Sequence, residues 1–307
     1  MKVLVTGAAG MIGRSVLEAL RRAGHSARAI VRPAGTALDA RAAAQIVALD
    51  VRDRIGVREA MAGVEAVVHL AGHGGRSDDD VRTTIVEGTR AVVDAAGAAR
   101  CRVLVFFSST AVYGSGDLVD LDESHPRRAV SSYGRAKIAA EDLVLEADAA
   151  GVFEGYVFRP CDAFGGSDRY FGKLLVDLAS GGVVPLCRGG AVRYDVVAAD
   201  DLAAATLAAI TRRRVGDQSS ESRALNLTGG ENLTVAELAV RLGAHLGRAL
   251  QTAPIVDGRP LPEGVWPWLV PLVGEHRSFS IARARAVLGY APRVRFPQTL
   301  SVVDQGS

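Results

Sequence analysis

The chain has 307 residues, of which 49% are hydrophobic and 23% are charged, and its formal net charge is +2. This balance is typical of a folded globular protein with one large domain or two modest ones, and it excludes a disordered chain. Because the net charge is close to zero, nothing in it favours a polyanionic partner, and we do not expect the protein to bind nucleic acid.

The sequence also bears on location and on metals. No uncharged apolar run approaches the ~20 residues that a membrane helix needs, so we expect no membrane association. A signal peptide is not expected either, because Gly7, Gly10 and Gly13 interrupt a very short apolar stretch at the start. Three cysteines without a Cys-x-x-Cys pair favour reduced thiols and a cytoplasmic location. No His or Cys cluster has metal-ligand spacing, so no metal is expected.

Short apolar, β-branched runs alternate with helical patterns through the first half of the chain. The predicted strands are Lys2–Thr6, Ala27–Val31, Ile46–Leu49, Ala66–Leu70, Val103–Phe107 and Tyr156–Phe158. The predicted helices between them are Ile12–Ala23, Val57–Met61, Val81–Ala99 and Ser132–Ala150. This alternation predicts an α/β protein with a doubly wound, parallel, Rossmann-type sheet.

The rhythm changes after Arg159, where Gly- and Pro-rich segments separate helices such as Asp200–Thr211 and Thr234–Leu246. The second of these helices begins with Thr-x-x-Glu, a capping-box start. We therefore predict a dinucleotide-binding domain at residues 1–160, to which residues 193–228 return. A smaller, irregular substrate domain is predicted at 161–192 and 229–307.

The first predicted strand runs into a glycine-rich turn, and a predicted helix follows directly. Gly7, Gly10 and Gly13 have G-x-x-G-x-x-G spacing. Glycines there permit a tight turn, close approach of a pyrophosphate and close packing of the helix on the strand. The backbone at the helix start, including Met11 and Ile12, would direct partial positive charge at the phosphates. The turn therefore predicts a dinucleotide site.

A second signal is the pair Tyr133 and Lys137, which are one helical turn apart and so lie on the same face. An ordinary tyrosine has a pKa near 10, and a fixed ammonium close by is expected to lower it. Ser109 follows the predicted strand Val103–Phe107. Since parallel strands place their carboxyl ends at the ligand crevice, we expect Ser109 to face the helix that carries Tyr133.

These motifs together resemble the extended short-chain dehydrogenase/reductase family, also called the NAD-dependent epimerase/dehydratase family. The resemblance runs through nearly the whole chain. Further matching positions are Asp50, Val68–Gly72, Gly88-Thr89, Ser108–Gly114, Arg159-Pro160, Arg193–Asp195 with Asp200-Asp201, Asn226, and Leu288–Tyr290 with Pro292.

The resemblance implies a role for each member of the catalytic set. Tyr133 would exchange a proton with the substrate hydroxyl or carbonyl, and Ser109 would hydrogen-bond the reacting oxygen. Lys137 would bind the ribose hydroxyls of the nicotinamide and lower the pKa of Tyr133. The family also commonly pairs through two long helices, here those around Val81–Ala99 and Ser132–Ala150, which implies a homodimer.

The resemblance implies further coenzyme contacts outside the catalytic set. Asp50 and its neighbour Val51 would meet the adenine, and Arg159 would also contact the coenzyme. The turn formed by Leu70, Ala71 and Gly72 would pass beneath it. Together with the glycine-rich turn, these positions form the predicted coenzyme site.

Two departures from the family's patterns narrow the chemistry. Family 4,6-dehydratases carry Asp-Glu directly after the Ser/Thr, whereas this chain has Thr110 and Ala111, neither of which can act as a general acid or base near neutral pH. Sugar-nucleotide enzymes of the family often show Arg-Pro-x-Asn, whereas this chain has Asp162 as the fourth residue. A carboxylate beside a diphosphate is repulsive, so Asp162 weakens the case for a nucleotide sugar.

Other predicted substrate contacts are Arg193, Trp266 and Thr110. Arg193 lies where the family's sugar-nucleotide enzymes have a phosphate-binding arginine. The stretch Val265–Val273 has no arginine where another is often found, and carries Trp266 and Trp268 instead. A tryptophan-bearing wall suits a hydrophobic substrate, although both rings could equally fill the core of the small domain.

These observations predict an NAD(P)-dependent oxidoreductase that interconverts a secondary alcohol and a ketone on a small molecule. The alternative is a sugar-nucleotide epimerase acting on UDP- or dTDP-sugars, which shares the first half-reaction. A catalytically silent coenzyme-sensing regulator is disfavoured, because a sensor does not need Ser109, Tyr133 and Lys137.

The coenzyme preference is predicted from the end of the second strand. NAD-preferring members have an acidic residue there, whereas the predicted strand Ala27–Val31 ends at Arg32-Pro33. A guanidinium can pair with a 2′-phosphate in a bidentate, charge-assisted way, so Arg32 favours NADP over NAD. Pro33 does not help, since it removes a backbone donor.

Overall fold

The computed structural model describes residues 1–33, 38–72, 77–165, 182–212 and 223–300. Its strands are β1 (Lys2–Thr6), β2 (Ser26–Val31), β3 (Gln45–Ala48), β4 (Ala66–His69), β5 (Val103–Phe107), β6 (Leu118–Leu121), β7 (Glu154–Pro160), β8 (Asp162–Phe164), β9 (Val183–Leu186), β10 (Val196–Ala198), β11 (Ala224–Leu227), β12 (Gln251–Pro254) and β13 (Arg277–Phe279). Its helices are α1 (Met11–Arg22), α2 (Arg54–Ala60), α3 (Asp78–Arg82), α4 (Gly88–Ala98), α5 (Ser132–Ala149), α6 (Ala199–Thr211), α7 (Val235–His245), α8 (Leu269–Val273) and α9 (Ala282–Leu288).

Seven strands form one parallel sheet in the order β11-β7-β5-β4-β1-β2-β3. The chain leaves β1 toward one edge of the sheet and then returns past it to β4, so the strand order reverses between β1 and β4. In open parallel sheets the ligand crevice lies outside the carboxyl ends of the strands at such a reversal. The predicted doubly wound α/β fold is confirmed.

Two hydrophobic cores cover the two faces of this sheet. Helices α1 and α6 pack on one face through residues such as Leu17, Leu20 and Ile210. Helices α2, α4 and α5 cover the other face, with Val92 and Val144 fully buried there. Buried strands with helices on both faces explain why the strand sequences are continuous apolar runs rather than alternating ones.

The predicted helix Val81–Ala99 is divided in the structure. Helix α3 is followed by a π-helical turn, Thr83–Glu87, and then by α4. Ile85 of this turn packs against Gly72, where an added Cβ would lie 3.0 Å from the Ile85 side chain. A periodicity that reads as one helix does not reveal such a bulge.

A third core belongs to the smaller unit, which includes β9, α7 and α8, with Leu233, Leu242 and Leu269 among its buried residues. Within the predicted substrate domain, residues 277–290 behave differently. Phe279, from β13, and Tyr290 pack into the core of the main sheet instead. The segment 166–181 of that predicted domain lies outside the described residues.

Candidate active site

The glycine-rich turn joins β1 to α1 and lies directly on the neighbouring turn after β4. Gly7 has φ +65°, and a Cβ on it would be 2.8 Å from the amide nitrogen of Ala71. A Cβ on Gly13 would be 2.5 Å from the carbonyl oxygen of Gly7. Side chains at either position are therefore excluded by backbone atoms, which is how the turn and helix come this close.

The start of α1 has the features of a phosphate site. Gly10 is the N-cap residue and supplies no side-chain cap, and no acidic residue lies in the first turn. The first N–H groups of a helix have no intrahelical acceptor and carry partial positive charge. Met11, Ile12 and Gly13 would therefore present backbone donors to a pyrophosphate, and this cradle fits the dinucleotide that the spacing predicts.

A buried hydrogen-bond chain fixes the turn Leu70–Gly72. The Ala71 amide donates to Thr6 Oγ1 at 3.1 Å, and the Thr6 hydroxyl lies 2.6 Å from His69 Nδ1. His69 Nε2 lies 3.1 Å from the hydroxyl of Thr89, which donates to the Ile85 carbonyl at 2.6 Å. Because Thr89 uses its own proton on Ile85, Nε2 of His69 is the donor and Nδ1 the acceptor.

Burial, with a smaller contribution from the nearby Lys137, lowers the pKa of His69 to about 3, so the imidazole is neutral. Sequence reasoning placed the Ala71 turn beneath the coenzyme but did not predict the hydrogen-bond network of Thr6, His69 and Thr89. Its three side chains come from β1, β4 and α4, and only the fold brings them together.

The predicted adenine end of the coenzyme site is formed by Asp50, Val51 and Arg32. Arg52 donates to both carboxylate oxygens of Asp50, at 2.9 and 2.6 Å, and this pairing lowers the pKa of Asp50. Arg32 is exposed after β2 and contributes a small further lowering. Val51 is buried against Gly88. Arg32 thus remains accessible, whereas Asp50 is engaged by a cation that sequence reasoning did not assign to it.

Ser109 follows β5 and begins a short 3₁₀ turn, Thr110–Tyr113. Its Oγ accepts a hydrogen bond from the Ala111 amide at 3.1 Å. Helix α5 begins close to this turn, because a Cβ on Gly134 would be 2.6 Å from the Ala111 carbonyl oxygen. The residue before this glycine is Tyr133, and its hydroxyl hydrogen-bonds with the Ser109 side chain.

Lys137 is one turn further along α5 and is buried. Its ammonium donates to the Phe107 carbonyl at 2.7 Å and lies 5.6 Å from the centre of the Tyr133 ring. Ser109, Tyr133 and Lys137 are therefore brought together at the carboxyl end of β5. This is the crevice that the strand order predicts.

The expected lowering of the pKa of Tyr133 is not found. The pKa is instead raised to about 12, mainly by burial and with a smaller contribution from the negative charge of Asp162, against the lowering effect of the hydrogen bond to Ser109. Burial also lowers the pKa of Lys137 to about 7, against an opposing effect of Glu141. The spacing of Tyr133 and Lys137 on one helix face predicts that they are close, but it does not predict how deeply they are buried. Desolvation is the largest cause of the pKa shift of both groups.

The side chain of Arg159, a predicted coenzyme contact, is bonded within the protein. Its guanidinium donates to both carboxylate oxygens of Glu141, at 2.9 and 2.7 Å, and to the Tyr113 hydroxyl at 2.9 Å. The guanidinium is 4% exposed and the Glu141 carboxylate 0% exposed. A coenzyme contact by Arg159 stays a prediction, and this side chain is held in a buried ion pair.

The predicted substrate contacts separate into two groups. Asp162 lies near the Tyr133 hydroxyl, as its effect on that pKa requires, and its carboxylate accepts a hydrogen bond from the Tyr194 hydroxyl. Thr110 is buried beside Ser109. Arg193 instead donates to Asp120 at 3.1 Å in a largely exposed ion pair.

The tryptophans belong to the second group. Trp266 stacks on Trp268 with ring centroids 5.8 Å apart, and Trp266 packs on the core of the smaller unit while Trp268 is 56% exposed. A substrate contact by Trp266 stays a prediction.

Among the described residues, no group of three His, Cys, Asp or Glu side chains could hold a metal ion. No helix in the same part of the chain is long and apolar enough to cross a membrane.

Comparison with known proteins agrees with this geometry. A sequence profile of the NAD dependent epimerase/dehydratase family matches residues 3–227. A 4-hydroxy-2-methyl-3-oxo-4-farnesyl-3,4-dihydroquinoline-1-oxide ketoreductase from Stigmatella aurantiaca is 31% identical and aligns over 99% of this chain and 96% of its own length. A UDP-glucose 4-epimerase from Streptomyces lividans is 29% identical over 95% of this chain and 91% of its own. The structure of MoeE5 in complex with UDP-glucuronic acid and NAD is 26% identical, covers 98% of this chain and 96% of its own, and superposes with a TM-score of 0.77.

A parallel Rossmann-type sheet with a glycine-rich dinucleotide turn defines the class of NAD(P)-dependent enzymes. Within that class, the chain belongs to the NAD-dependent epimerase/dehydratase family.

Proposed function

We propose that the protein is an NAD(P)-dependent ketoreductase that interconverts a ketone and a secondary alcohol on a neutral small molecule. The observation that carries the proposal is the hydrogen bond between Tyr133 and Ser109 beside the buried Lys137. These groups lie at the carboxyl end of the sheet, where the glycine-rich turn also ends. A coenzyme-binding protein without catalytic activity would not need a proton donor at that position.

The bound nicotinamide coenzyme would supply or accept the hydride. In the proposed reduction, Ser109 holds the carbonyl oxygen and the Tyr133 hydroxyl donates the proton that this oxygen acquires. The raised pKa of Tyr133 means that its hydroxyl carries a proton at neutral pH, as a proton donor must. Lys137 would hold the coenzyme ribose with the ammonium protons that it does not donate to Phe107.

The charges around Tyr133 support a neutral substrate over a nucleotide sugar. Asp162 places a negative charge near the reacting hydroxyl, and a diphosphate in the same pocket would be repelled. Arg193, the predicted phosphate contact, already pairs with Asp120. A site that selects against anions in this way discriminates by repulsion as well as by fit.

A sugar-nucleotide epimerase is the second candidate function, favoured by the 29% identity to a UDP-glucose 4-epimerase. Both functions share the coenzyme and the Tyr133 proton step, and they differ in whether the coenzyme is consumed.

For the coenzyme we propose NADP over NAD, because Arg32 is exposed at the end of β2 with no acidic residue in its place. We also propose a homodimer that pairs through the α3–α4 segment and α5.

The test is a comparison of substrates under matched conditions. Reduction of neutral ketones, such as β-keto esters and cyclic ketones, should oxidise one NADPH for each alcohol molecule formed. UDP and UDP-glucose should leave the melting temperature unchanged, whereas a ligand at 100 times its dissociation constant would add ~2.7 kcal/mol of stability. A clear thermal shift with UDP, together with isomerisation of UDP-glucose and no net coenzyme consumption, would favour the epimerase.

A further inference from the structure

A buried polar network links helix α5 to the turn that begins at Ser109. Glu141 lies on α5, one turn beyond Lys137 and two beyond Tyr133, and its carboxylate is fully buried. It accepts hydrogen bonds from Arg159 at both oxygens and from Arg127 at 3.0 Å. Charge-assisted hydrogen bonds from two guanidiniums fix the position of this carboxylate.

The network continues from Arg159 to the Ser109 turn. Arg159 donates to the hydroxyl of Tyr113, which is the last residue of that turn, and its guanidinium carbon lies 5.2 Å from the centre of the tyrosine ring. The Tyr113 hydroxyl in turn donates to Asn226 Oδ1 on β11 at 2.7 Å. The Tyr113 hydroxyl thus accepts one hydrogen bond, from Arg159, and donates one, to Asn226, so the direction of both bonds is fixed.

Helix α5 and the turn that follows Ser109 are therefore connected at two places. Near the site, Gly134 of α5 packs on the Ala111 carbonyl of the turn. Deeper in the core, Glu141 and Tyr113 are joined through Arg159, which lies on β7 between them. Contacts at both ends of an interface fix its angle as well as its separation. The distance between Ser109 and Tyr133 depends on both.

The same carboxylate bears on Lys137. The groups around this ammonium include the Phe107 carbonyl and the Phe106 ring from β5, the neutral His69 from β4, and Tyr133 and Glu141 from α5. Burial lowers the pKa of Lys137, and Glu141 is the neighbour that raises it. Among these groups Glu141 is the only anion, and the same carboxylate joins α5 to Arg159.

We infer that Glu141, anchored by Arg159 and Tyr113, is a positioning residue that holds α5 against the Ser109 turn and places a carboxylate one helical turn from Lys137. This inference rests on the proposed roles of Tyr133 and Lys137, and it assigns to Arg159 and Tyr113 a function that does not involve touching substrate or coenzyme. Stability alone does not require an ion pair here, because well-packed apolar side chains often replace such pairs without loss.

The first test measures the charge state of Lys137 without any substrate. The chain has only three lysines, Lys2, Lys137 and Lys173, so [ε-¹³C]lysine labelling gives three resonances, and the Lys137→Arg variant assigns the one of interest. In Glu141→Gln its titration midpoint should fall by about one pH unit, the effect of removing one close opposite charge. An unchanged midpoint in Glu141→Gln would overturn the proposal.

A matched control is Glu231→Gln. Glu231 is also buried and paired with two arginines, Arg241 and Arg295, but it lies in the smaller unit. Its replacement should leave the Lys137 midpoint at the wild-type value. An equal shift in both variants would show a general effect of neutralising buried carboxylates and would also overturn the proposal.

The second test uses Tyr113→Phe, which keeps every charge and removes only the hydroxyl link. Turnover of the neutral ketone should fall about tenfold, less than the 10²-fold that a misplacement of 1 Å can produce. The dissociation constant of NADPH and the Lys137 midpoint should not change. The control is Tyr290→Phe, which removes another buried tyrosine hydroxyl, one that donates to the Thr228 carbonyl at 2.9 Å.

Wild-type turnover in Tyr113→Phe, with Tyr290→Phe equally active, would refute the positioning role. The outcomes also separate this proposal from the proposed function. If wild-type protein reduces no ketone, the function is wrong, while the Lys137 titration still decides whether Glu141 sets the charge of that lysine.

Discussion

Replacement of Gly13 by alanine tests the geometry of the coenzyme turn. In an ordinary helix this change stabilises the protein by up to ~1 kcal/mol, because glycine is the poorer helix former. Here the new Cβ would lie 2.5 Å from the Gly7 carbonyl oxygen and 2.7 Å from two backbone atoms of Ala8. None of these atoms can rotate away, so the turn or the helix must move.

Overpacking of this kind typically costs about 1–3 kcal/mol, and contact with three backbone atoms belongs at the upper end. After the gain in helix propensity, we expect a net loss of about 2 kcal/mol. At roughly 2–4 °C per kcal/mol, the melting temperature should fall by about 4–8 °C. Coenzyme affinity should fall as well, because the shifted atoms include the backbone that we expect to contact the phosphates.

The matched control is Gly97→Ala in α4. Its Cβ would meet only the Cγ1 atom of Val152 at 2.8 Å, and that side chain is 43% exposed and free to rotate. This variant should be as stable as the wild type or slightly more stable. Thermal unfolding by circular dichroism and coenzyme titration by fluorescence measure both effects. A Gly13→Ala protein with wild-type melting temperature and coenzyme affinity would refute the reasoning.

Three further predictions follow from individual side chains. Tyr133→Phe should keep coenzyme affinity and lose roughly 10²–10⁴-fold in turnover, and near-wild-type turnover would contradict its role as proton donor. Arg32→Asp should weaken NADP binding by charge repulsion while sparing NAD, whereas titrations that show equal affinities before and after the change would exclude Arg32 as a reader of the 2′-phosphate. The folded pKa of Lys137 is about 7, below the ordinary value near 10.4. Between those values the unfolded chain binds more protons, so the free energy of unfolding should rise with pH. Lys137→Met should lack this rise in urea titrations, and parallel pH profiles would contradict it.

The fold was predictable because its signals are local. A parallel strand that is buried on both faces needs a continuous apolar run, as in Val103–Phe107, and the glycine turn needs its three glycines within seven residues. Tyr133 and Lys137 are likewise related by the helix alone. The division at Thr83–Glu87 escaped prediction because a π-helical turn leaves the apolar periodicity almost intact.

The partners of charged residues were not predictable in the same way. Arg159 donates hydrogen bonds to Glu141 and Tyr113, which are 18 and 46 residues away in the sequence, and nothing in the local sequence indicates either pairing. The pKa of Tyr133 shows the same limit, because it depends on how deeply the site is buried and on Asp162. Motifs locate chemical groups, but only packing decides their environment.

Transfer of deuterium from labelled coenzyme to a ketone tests the central claim most directly. With coenzyme carrying deuterium at the transferable position of the nicotinamide, the account predicts an alcohol with one deuterium at the former carbonyl carbon. Oxidised coenzyme should form in equal amount, and Tyr133→Phe should suppress both products together. Formation of an epimerised sugar nucleotide without net coenzyme oxidation, or no transfer to any ketone, would contradict the account.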